Sequence, residues 1–174
     1  MKLAGATAVL ALGALVGCAT STAAPQAAPP RTAVKEQVER VIHDSIEWAL
    51  DDKNTDKLFG SVAHDGDFFI FHPDSRSTVV GFEAYRSMAE SSWLTPDFRA
   101  TSSAIRELRV SFSRGGDVTW FSALLDDCGE WQGRLGCWKD TRWTGVLEQR
   151  DGRWVIVQMH FSFAFDKKPD GTAR

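Results

Sequence analysis

The sequence has a single tyrosine, three cysteines and a formal net charge of only −3 over its 174 residues. A mildly acidic chain lacks the clustered positive charge that binds phosphate backbones, so we expect no nucleic-acid partner. No run of 18 apolar residues occurs outside the N-terminus, so the sequence predicts no later membrane span. Aromatic residues are abundant by contrast, with seven tryptophans and eleven phenylalanines.

The first 17 residues are typical of a bacterial export signal. Lys2 precedes an apolar run over 3–16, and Leu15-Val16-Gly17-Cys18 resembles a lipobox, in which the signal is cut before a cysteine that then carries lipid. Several acyl chains on Cys18 would form a stable membrane anchor. Ala19, rather than aspartate, follows the cysteine, as in lipoproteins sorted to the outer membrane. We therefore expect an exported, membrane-anchored lipoprotein on the periplasmic face of the outer membrane; the alternative is an ordinary secretory signal with an unrelated cysteine.

The rest of the chain divides into a tether and one domain. Residues 18–32 are rich in alanine, serine, threonine and proline and lack periodicity, which is typical of a flexible tether. Apolar spacing predicts helices over 33–51, 56–62 and 81–94 and a strand over 64–72. The later pattern predicts strands over 98–113, 117–130, 134–150 and 153–165, joined by glycine-containing turns. Residues 33–174 are therefore predicted to form one α+β domain.

Cys128 and Cys137 are separated by nine positions, with Gln132-Gly133 at the centre. A hairpin turn at this dipeptide would place the two cysteines opposite each other, and an exported protein can form disulfides. Opposed strand positions lie somewhat far apart for a disulfide, so the pairing needs local twist or a bulge. A metal site is the weaker alternative, because two thiols alone do not complete a zinc ligand set.

Pairing the strands through their turns predicts two different sheet faces. The more apolar face, which includes Leu125 and Phe161, is expected to lie under the helices. In this register Arg106 lies beside Leu125, and Arg142 lies beside Phe161, so both arginines would point toward one pocket mouth. The other face mixes aromatic and polar groups, which suits a protein–protein interface; it carries Trp120, Trp143, Gln158 and His160.

Several fragments in order carry a family resemblance. They include Asp67-Phe68-Phe69-Ile70-Phe71-His72-Pro73 as the first strand and Gly81-Phe82-Glu83-Ala84 at the start of a helix. The most specific fragment is the ending Trp154-Val155-Ile156-Val157-Gln158-Met159-His160-Phe161-Ser162. Over about residues 33–165 the chain resembles SnoaL-like members of the nuclear-transport-factor-2-like superfamily, and also the association domain of calmodulin-dependent kinase II.

The resemblance implies a cone-shaped, curved antiparallel sheet closed by about three N-terminal helices. It further implies a homodimer formed through the outer sheet face, and a pocket between the helices and the wide end of the sheet. Alignment to the kinase domain places Tyr85, Trp93, Leu125 and Phe161 in that pocket. The kinase domain has arginines at the last two positions and binds small carboxylates. Here only Arg106 and Arg142 offer an arginine fork, so a carboxylate ligand is an alternative expectation.

No complete catalytic set is visible in the sequence. His72 is a candidate polar or acid–base group at the pocket rim; the alternative is a solvated histidine at a strand end. His160 is either an interface or pocket group or a structural histidine. Asp126 and Asp127 point to opposite faces of a strand, so we expect solvated charges and no shared proton. The sequence predicts neither a metal ion nor a cofactor.

The prediction is a lipid-anchored dimer whose SnoaL-like domain binds an apolar or amphipathic small molecule. Abundant aromatic residues with few polar groups are typical of a largely apolar pocket. An enzyme that uses the same pocket, of the isomerase, dehydratase or hydrolase type, is the first alternative. The second alternative is a non-catalytic scaffold lipoprotein whose pocket is filled by its own side chains.

Overall fold

The computed structural model describes residues 30–73 and 78–164. The predicted signal peptide, the Cys18 lipidation site and most of the predicted tether lie outside the described residues. Within the described part, no helix is long and apolar enough to cross a membrane.

Three helices precede the long strands: α1 (Arg31–Glu47), α2 (Thr55–Gly60) and α3 (Phe82–Ser91). The α1 helix begins at Arg31, two residues before the predicted start at residue 33, and buries Val38 and Ile42. The α2 helix is capped by the Asn54 side chain, which accepts a hydrogen bond from Lys57 N. Glycine is needed before α3, because Gly81 has φ of 84°.

Six strands form one sheet: β1 (Phe69–Phe71), β2 (Val79–Val80), β3 (Phe98–Phe112), β4 (Val118–Trp131), β5 (Arg134–Arg150) and β6 (Arg153–Ser162). Their order is β2-β1-β6-β5-β4-β3. The α+β class and the helices-then-meander order are confirmed. The sheet is mixed, because β1 pairs in parallel with β6, and its edges do not join. The sequence pattern predicted a single strand over 64–72, which contains β1, and did not predict β2.

Both predicted glycine turns next to β5 are present. Gln132 and Gly133 have φ of 49° and 78°, and Asp151 and Gly152 have 50° and 77°, which suits tight hairpins. Cys128 pairs directly with Cys137 in the β4–β5 ladder, and the two form a disulfide with Cα atoms 4.1 Å apart. The predicted hairpin and disulfide are therefore confirmed.

A β-bulge in β5 moves the predicted register by one residue. Asp127 pairs with Trp138 but Leu125 pairs with Thr141, so Lys139 and Asp140 together face Asp126. Ala123 therefore pairs with Trp143 instead of the predicted Arg142. A second irregularity between Val146 and Leu147 shifts β5 against β6. A third irregularity, between Arg106 and Arg109, shifts β3 against β4, so Arg106 pairs with Leu124. A one-residue slip exchanges the two faces of a strand, which explains the corrections at Arg106, Arg142 and Trp143 below.

The face under the helices, called the inner face, carries Phe121, Leu125, Trp143, Met159 and Phe161. These side chains join Val38 and Ile42 of α1 in one hydrophobic core. The prediction that Trp143 lies on the opposite face is wrong, because its side chain is fully buried between Phe121 and Phe161. The face turned away from the helices, called the outer face, carries the neighbouring exposed positions Arg142 and Thr144.

Candidate functional site

A cavity of about 100 Å³ lies between the C-terminal half of α1, α3 and the inner face. It is lined mainly by apolar and aromatic side chains from every layer of the domain: Ser45, Ile46, Trp48, Ala49, Ile70, His72, Tyr85, Trp93, Phe98, Ala100, Leu125, Asp127, Trp138, Met159 and Phe161. A dry cavity of about 150 Å³ accommodates a benzene ring. The volume here therefore suits a group no larger than one small ring.

Aromatic packing forms the helical wall of the cavity. The Tyr85 ring of α3 packs edge-on against Trp93, with centroids 6.1 Å apart, and Trp93 packs against Trp48 at 6.2 Å. Tyr85 is almost fully buried, and burial raises the pKa of its hydroxyl well above the ordinary value. The hydroxyl is therefore neutral at physiological pH, where it can take part in a hydrogen bond but does not act as a base.

His72 follows β1 and is enclosed by aromatic rings. Its imidazole stacks on Phe161 with an interplanar angle of 9° and a centroid distance of 5.8 Å. Trp93 and Trp138 contact it edge-on, at 6.2 and 6.1 Å. The side chain is half-buried, so the predicted rim position describes its location better than the alternative of a fully solvated strand end.

Asp127 supplies the carboxylate of the cavity. It lies on β4 two residues after Leu125, and this spacing places both side chains on the inner face. Burial raises the pKa of Asp127 from its ordinary value of 3.8 to about 6. No charge or hydrogen bond of residues 30–73 and 78–164 offsets this effect. The prediction that Asp127 is a solvated charge is therefore wrong.

The cavity continues outward into a groove of about 540 Å³ beside the β4–β5 hairpin. Four residues line both spaces and are called the throat: Trp93, Phe98, Asp127 and Trp138. The outer part of the groove is formed by the hairpin tip, including Trp131, Arg134 and Cys137. A ligand with an apolar end could therefore place that end in the cavity and extend along the groove.

The structure brings together five of the seven residues predicted for the ligand site: His72, Tyr85, Trp93, Leu125 and Phe161. The predicted positions of Arg106 and Arg142 are wrong. Arg106 lies on the outer face, where its Nη2 contacts Asp140 Oδ1 at 2.6 Å and Asp126 Oδ1 at 3.2 Å. Arg142 is exposed on the same face because of the β5 bulge. The arginine fork proposed for a carboxylate is absent from the described cavity.

The β5 bulge separates one of the four residues predicted for a dimer interface from the other three. Trp120, Val146 and Gln158 are paired across three adjacent strands of the outer face. His160 is exposed there and packs edge-on against Phe71. Trp120 is half exposed. Trp143 belongs to the core, so the outer face retains three of the four predicted residues.

The sequence contained a signal for Asp127 that was not used. Leu125 was predicted to lie in the pocket, and strand alternation places residue 127 on the same face. The other acidic neighbour, Asp126, points outward as expected and accepts hydrogen bonds from Arg106 and from the Asp140 backbone N. Among the described residues, no group of three or more histidine, cysteine, aspartate or glutamate side chains is arranged to hold a metal ion.

The family follows from a match to most of the chain. A family model of the SnoaL-like domain matches residues 38–166, which include all six strands, the helices α2 and α3 and more than half of α1. The chain belongs to the SnoaL-like domain family. No curated protein sequence matches this SnoaL-like domain.

Solved structures with nuclear-transport-factor-2-like folds resemble this SnoaL-like domain. A candidate scytalone dehydratase from Novosphingobium aromaticivorans has a TM-score of 0.64 at 14% identity, covering 75% of this chain and 83% of the other. A hexachlorocyclohexane dehydrochlorinase (LinA) type 2 has a TM-score of 0.61 at 16% identity, with 75% and 85% covered. A candidate calmodulin-dependent kinase II association domain from Exiguobacterium sibiricum has 0.60 at 9%, with 79% and 96% covered. At these identities the similarity shows the fold alone.

Proposed function

We propose that this SnoaL-like domain binds an apolar or amphipathic small molecule in the cavity and its adjoining groove. The observation that carries the proposal is an aromatic cavity that opens into a larger groove and contains one carboxylate with no partner among residues 30–73 and 78–164. Few polar groups in an otherwise apolar concavity are typical of small-molecule sites. A scaffold protein with a pocket filled by its own side chains would need neither feature.

Binding can be tested with a soluble form that covers residues 26–174, which retains the Pro30 carbonyl that accepts a hydrogen bond from Val34 N. Native and denatured masses would reveal a retained molecule. Tryptophan fluorescence would then follow titration with n-butylbenzene, because Trp93 and Trp138 line the throat. We expect a saturable change in fluorescence.

A cavity-filling variant provides the matched control for this experiment. Ala49 lines the cavity, whereas Ala84 is exposed on α3. Ala49→Leu should weaken binding because the added atoms occupy the cavity, and Ala84→Leu should leave it unchanged. Neither a retained mass nor a saturable signal in the unmodified protein would contradict the proposal.

An enzyme that uses the same cavity is the second candidate, and Asp127 favours it. A carboxyl group with a pKa of about 6 in a cavity that also contains a histidine is suited to acid–base chemistry near neutral pH. The fold neighbours named as a dehydratase and a dehydrochlorinase suggest an elimination as the reaction class. Chloride release from hexachlorocyclohexane is a direct assay. A rate that rises through pH 6 and is lost in Asp127→Asn would support catalysis, and absence of turnover would favour binding alone.

We also propose export and lipid anchoring through Cys18. The lipobox-like segment supports this, and the Cys128–Cys137 disulfide fits an oxidising compartment. Cys18→Ser should prevent lipid modification, so the precursor should move from the detergent phase to the aqueous phase. Unchanged detergent partitioning would contradict the anchor.

A further inference from the structure

The throat combines one carboxylate with three aromatic rings. Asp127 lies on β4 and Trp138 lies opposite it on β5. Trp93 lies in the segment that joins α3 to β3, and Phe98 is the first residue of β3. All four residues line both the cavity and the groove, so a ligand that enters the cavity from the groove passes between them. The chemistry of the throat therefore bears on which ligand is selected.

Burial destabilises the charged form of the Asp127 carboxylate, and no described residue offsets this effect. Burial is the only cause that acts on its pKa, so neither a counter-ion nor a hydrogen-bond donor of the described protein stabilises the charged form. A half-buried carboxylate of this kind is stabilised when a ligand supplies positive charge. The charged and titratable groups that line the cavity and the groove are His72, Tyr85, Asp127 and Arg134.

The aromatic rings add a second preference for positive charge. Tryptophan faces attract cations most strongly among the aromatic side chains, and ammonium groups are bound where several rings surround them. The throat has two tryptophans and one phenylalanine around its carboxylate. Arg134 is exposed at the hairpin tip and lines only the outer groove. A cation in the throat would therefore lie beside Asp127, whereas Arg134 lines only the outer groove.

We propose that the throat recognises a positively charged nitrogen, so that the ligand is an amphipathic amine or quaternary ammonium compound. Its ammonium group contacts Asp127 and the tryptophan rings, its small apolar end enters the cavity, and the remainder follows the groove. This inference rests on the proposed function, since it names the ligand class of the same site.

A pair of isosteric probes tests the charge preference directly. Benzyltrimethylammonium and neopentylbenzene have the same shape and differ in a permanent positive charge. Tryptophan fluorescence titrations at pH 7.5 on residues 26–174 should show about tenfold tighter binding of the cation, as expected for a carboxylate and aromatic faces acting together. Asp127→Asn preserves the side-chain shape and should reduce this preference to about twofold, the part that the aromatic faces supply.

Matched variants separate the charge of Asp127 from damage to the fold. Glu130→Gln removes a carboxylate of the same strand that is paired with Arg99 outside the cavity, and should leave the cation preference unchanged. Asp127→Glu retains the charge and should retain part of the preference. Circular dichroism would establish that each variant is folded.

The pH dependence gives an independent readout. Because the probe has a permanent charge, its affinity should rise about threefold between pH 5 and 7.5 as Asp127 ionises. His72 and Tyr85 also line the cavity, and Arg134 lines the groove. Any pH dependence that remains in Asp127→Asn belongs to groups other than Asp127, and the difference between the two proteins belongs to Asp127.

The outcomes distinguish the inference from the proposed function. Equal affinity for the two probes, or a cation preference that is undiminished in Asp127→Asn, would overturn the inference and leave small-molecule binding intact. Failure of both probes and of n-butylbenzene to bind would overturn both. A cation preference that falls in Asp127→Asn and not in Glu130→Gln would support the ligand class.

Discussion

At the residue scale, the buried carboxylate of Asp127 affects the stability of the folded protein. Its pKa of about 6 in the folded protein lies above the ordinary 3.8, so the folded state binds the Asp127 proton more tightly than the unfolded chain does. Ionisation of the buried Asp127 therefore lowers the free energy of unfolding. This effect is absent below about pH 4 and is complete above about pH 6.

Asp127→Asn should therefore stabilise the protein at pH 7.5. We expect the free energy of unfolding to rise by about 2 kcal/mol, because the amide removes a desolvated charge without changing the side-chain volume. The difference between variant and parent should approach zero at pH 4, where Asp127 is protonated. Urea unfolding at the two pH values measures both quantities.

Glu130→Gln is the control for this stability experiment, because it loses only an exposed ion pair with Arg99. Its free energy of unfolding should change by about 0–1 kcal/mol at pH 7.5. If Asp127→Asn were destabilising, or if its effect were independent of pH, the carboxylate would have a stabilising partner in the folded protein.

At the element scale, the β5 bulge decides which residues face the helices. Asp140 has φ of 50°, and its backbone N donates to Asp126 Oδ1 at 2.8 Å. Arg106 bridges the same two aspartates from β3. After the bulge, Trp143 and Gly145 lie on the inner face, and the Phe121 ring packs over the glycine.

Gly145→Ala should disturb this inner-face packing. A Cβ at Gly145 would lie 2.5 Å from Phe121 Cε1 and 2.7 Å from the Gln158 carbonyl oxygen, which is a backbone atom of β6. We expect a loss of about 2–3 kcal/mol in the free energy of unfolding, measured by urea unfolding. Gly136→Ala is the matched control in the same strand, because its Cβ would meet no atom within 4 Å. Equal effects of the two variants would contradict the assigned register.

At this scale, local sequence patterns predict where the strands end but not where a bulge exchanges their faces. Turn dipeptides such as Gln132-Gly133 determine where a hairpin reverses, and they correctly predicted the strand ends and the Cys128–Cys137 pair. The bulge depends instead on a hydrogen bond from Asp140 N to an aspartate fourteen residues earlier. Local patterns do not contain this long-range contact, so the faces of Arg142 and Trp143 were exchanged.

The sequence predicted only part of the candidate site, again because local patterns do not contain the bulges. Residues placed by the family alignment, such as Tyr85 and Phe161, are in the cavity because they lie in elements with the expected alternation. Arg106 and Arg142 were placed by a register that ignored the bulges. The cavity position of Asp127 was not predicted, because the apolar surroundings of its carboxylate exist only once the helices pack over the sheet.

The Cys128–Cys137 disulfide closes the β4–β5 hairpin next to the throat. Reduction should lower the free energy of unfolding by about 2–3 kcal/mol, since the cross-link restricts the unfolded chain over a short loop. Urea unfolding of residues 26–174 with and without reductant measures this loss, and Cys18 is absent from that form. The exported protein should resist alkylation until it is reduced. Free thiols before reduction would contradict the bridge.

At the scale of the whole molecule, the two faces of the sheet suit separate tasks. The helices and the cavity occupy the inner face, whereas the outer face has no helix over it among the described residues. Trp120 and Phe71 leave 50% and 47% of their surfaces exposed on that side. Exposed aromatics beside polar groups such as Gln158 are typical of a protein–protein interface, and on this ground we propose the homodimer that the family resemblance implies.

Trp120→Lys should weaken the homodimer without affecting the cavity. Light scattering at micromolar concentration should give the mass of a dimer for residues 26–174. The substitution should raise the dissociation constant about 30-fold or more, because a central tryptophan commonly contributes at least about 2 kcal/mol to an interface. Trp131→Lys is the control, since Trp131 is comparably exposed but lies at the hairpin tip. A monomeric parent protein would contradict the interface.

Ligand binding should survive dissociation, because the cavity and the outer face are on opposite sides of the sheet. Trp120 pairs with Val146 and shares no lining position with the cavity or the groove. We therefore expect monomeric Trp120→Lys to bind n-butylbenzene with unchanged affinity in the fluorescence titration. A joint loss of dimer and binding would mean that the second protomer completes the site, so that the unit of function is the dimer and not the single SnoaL-like domain.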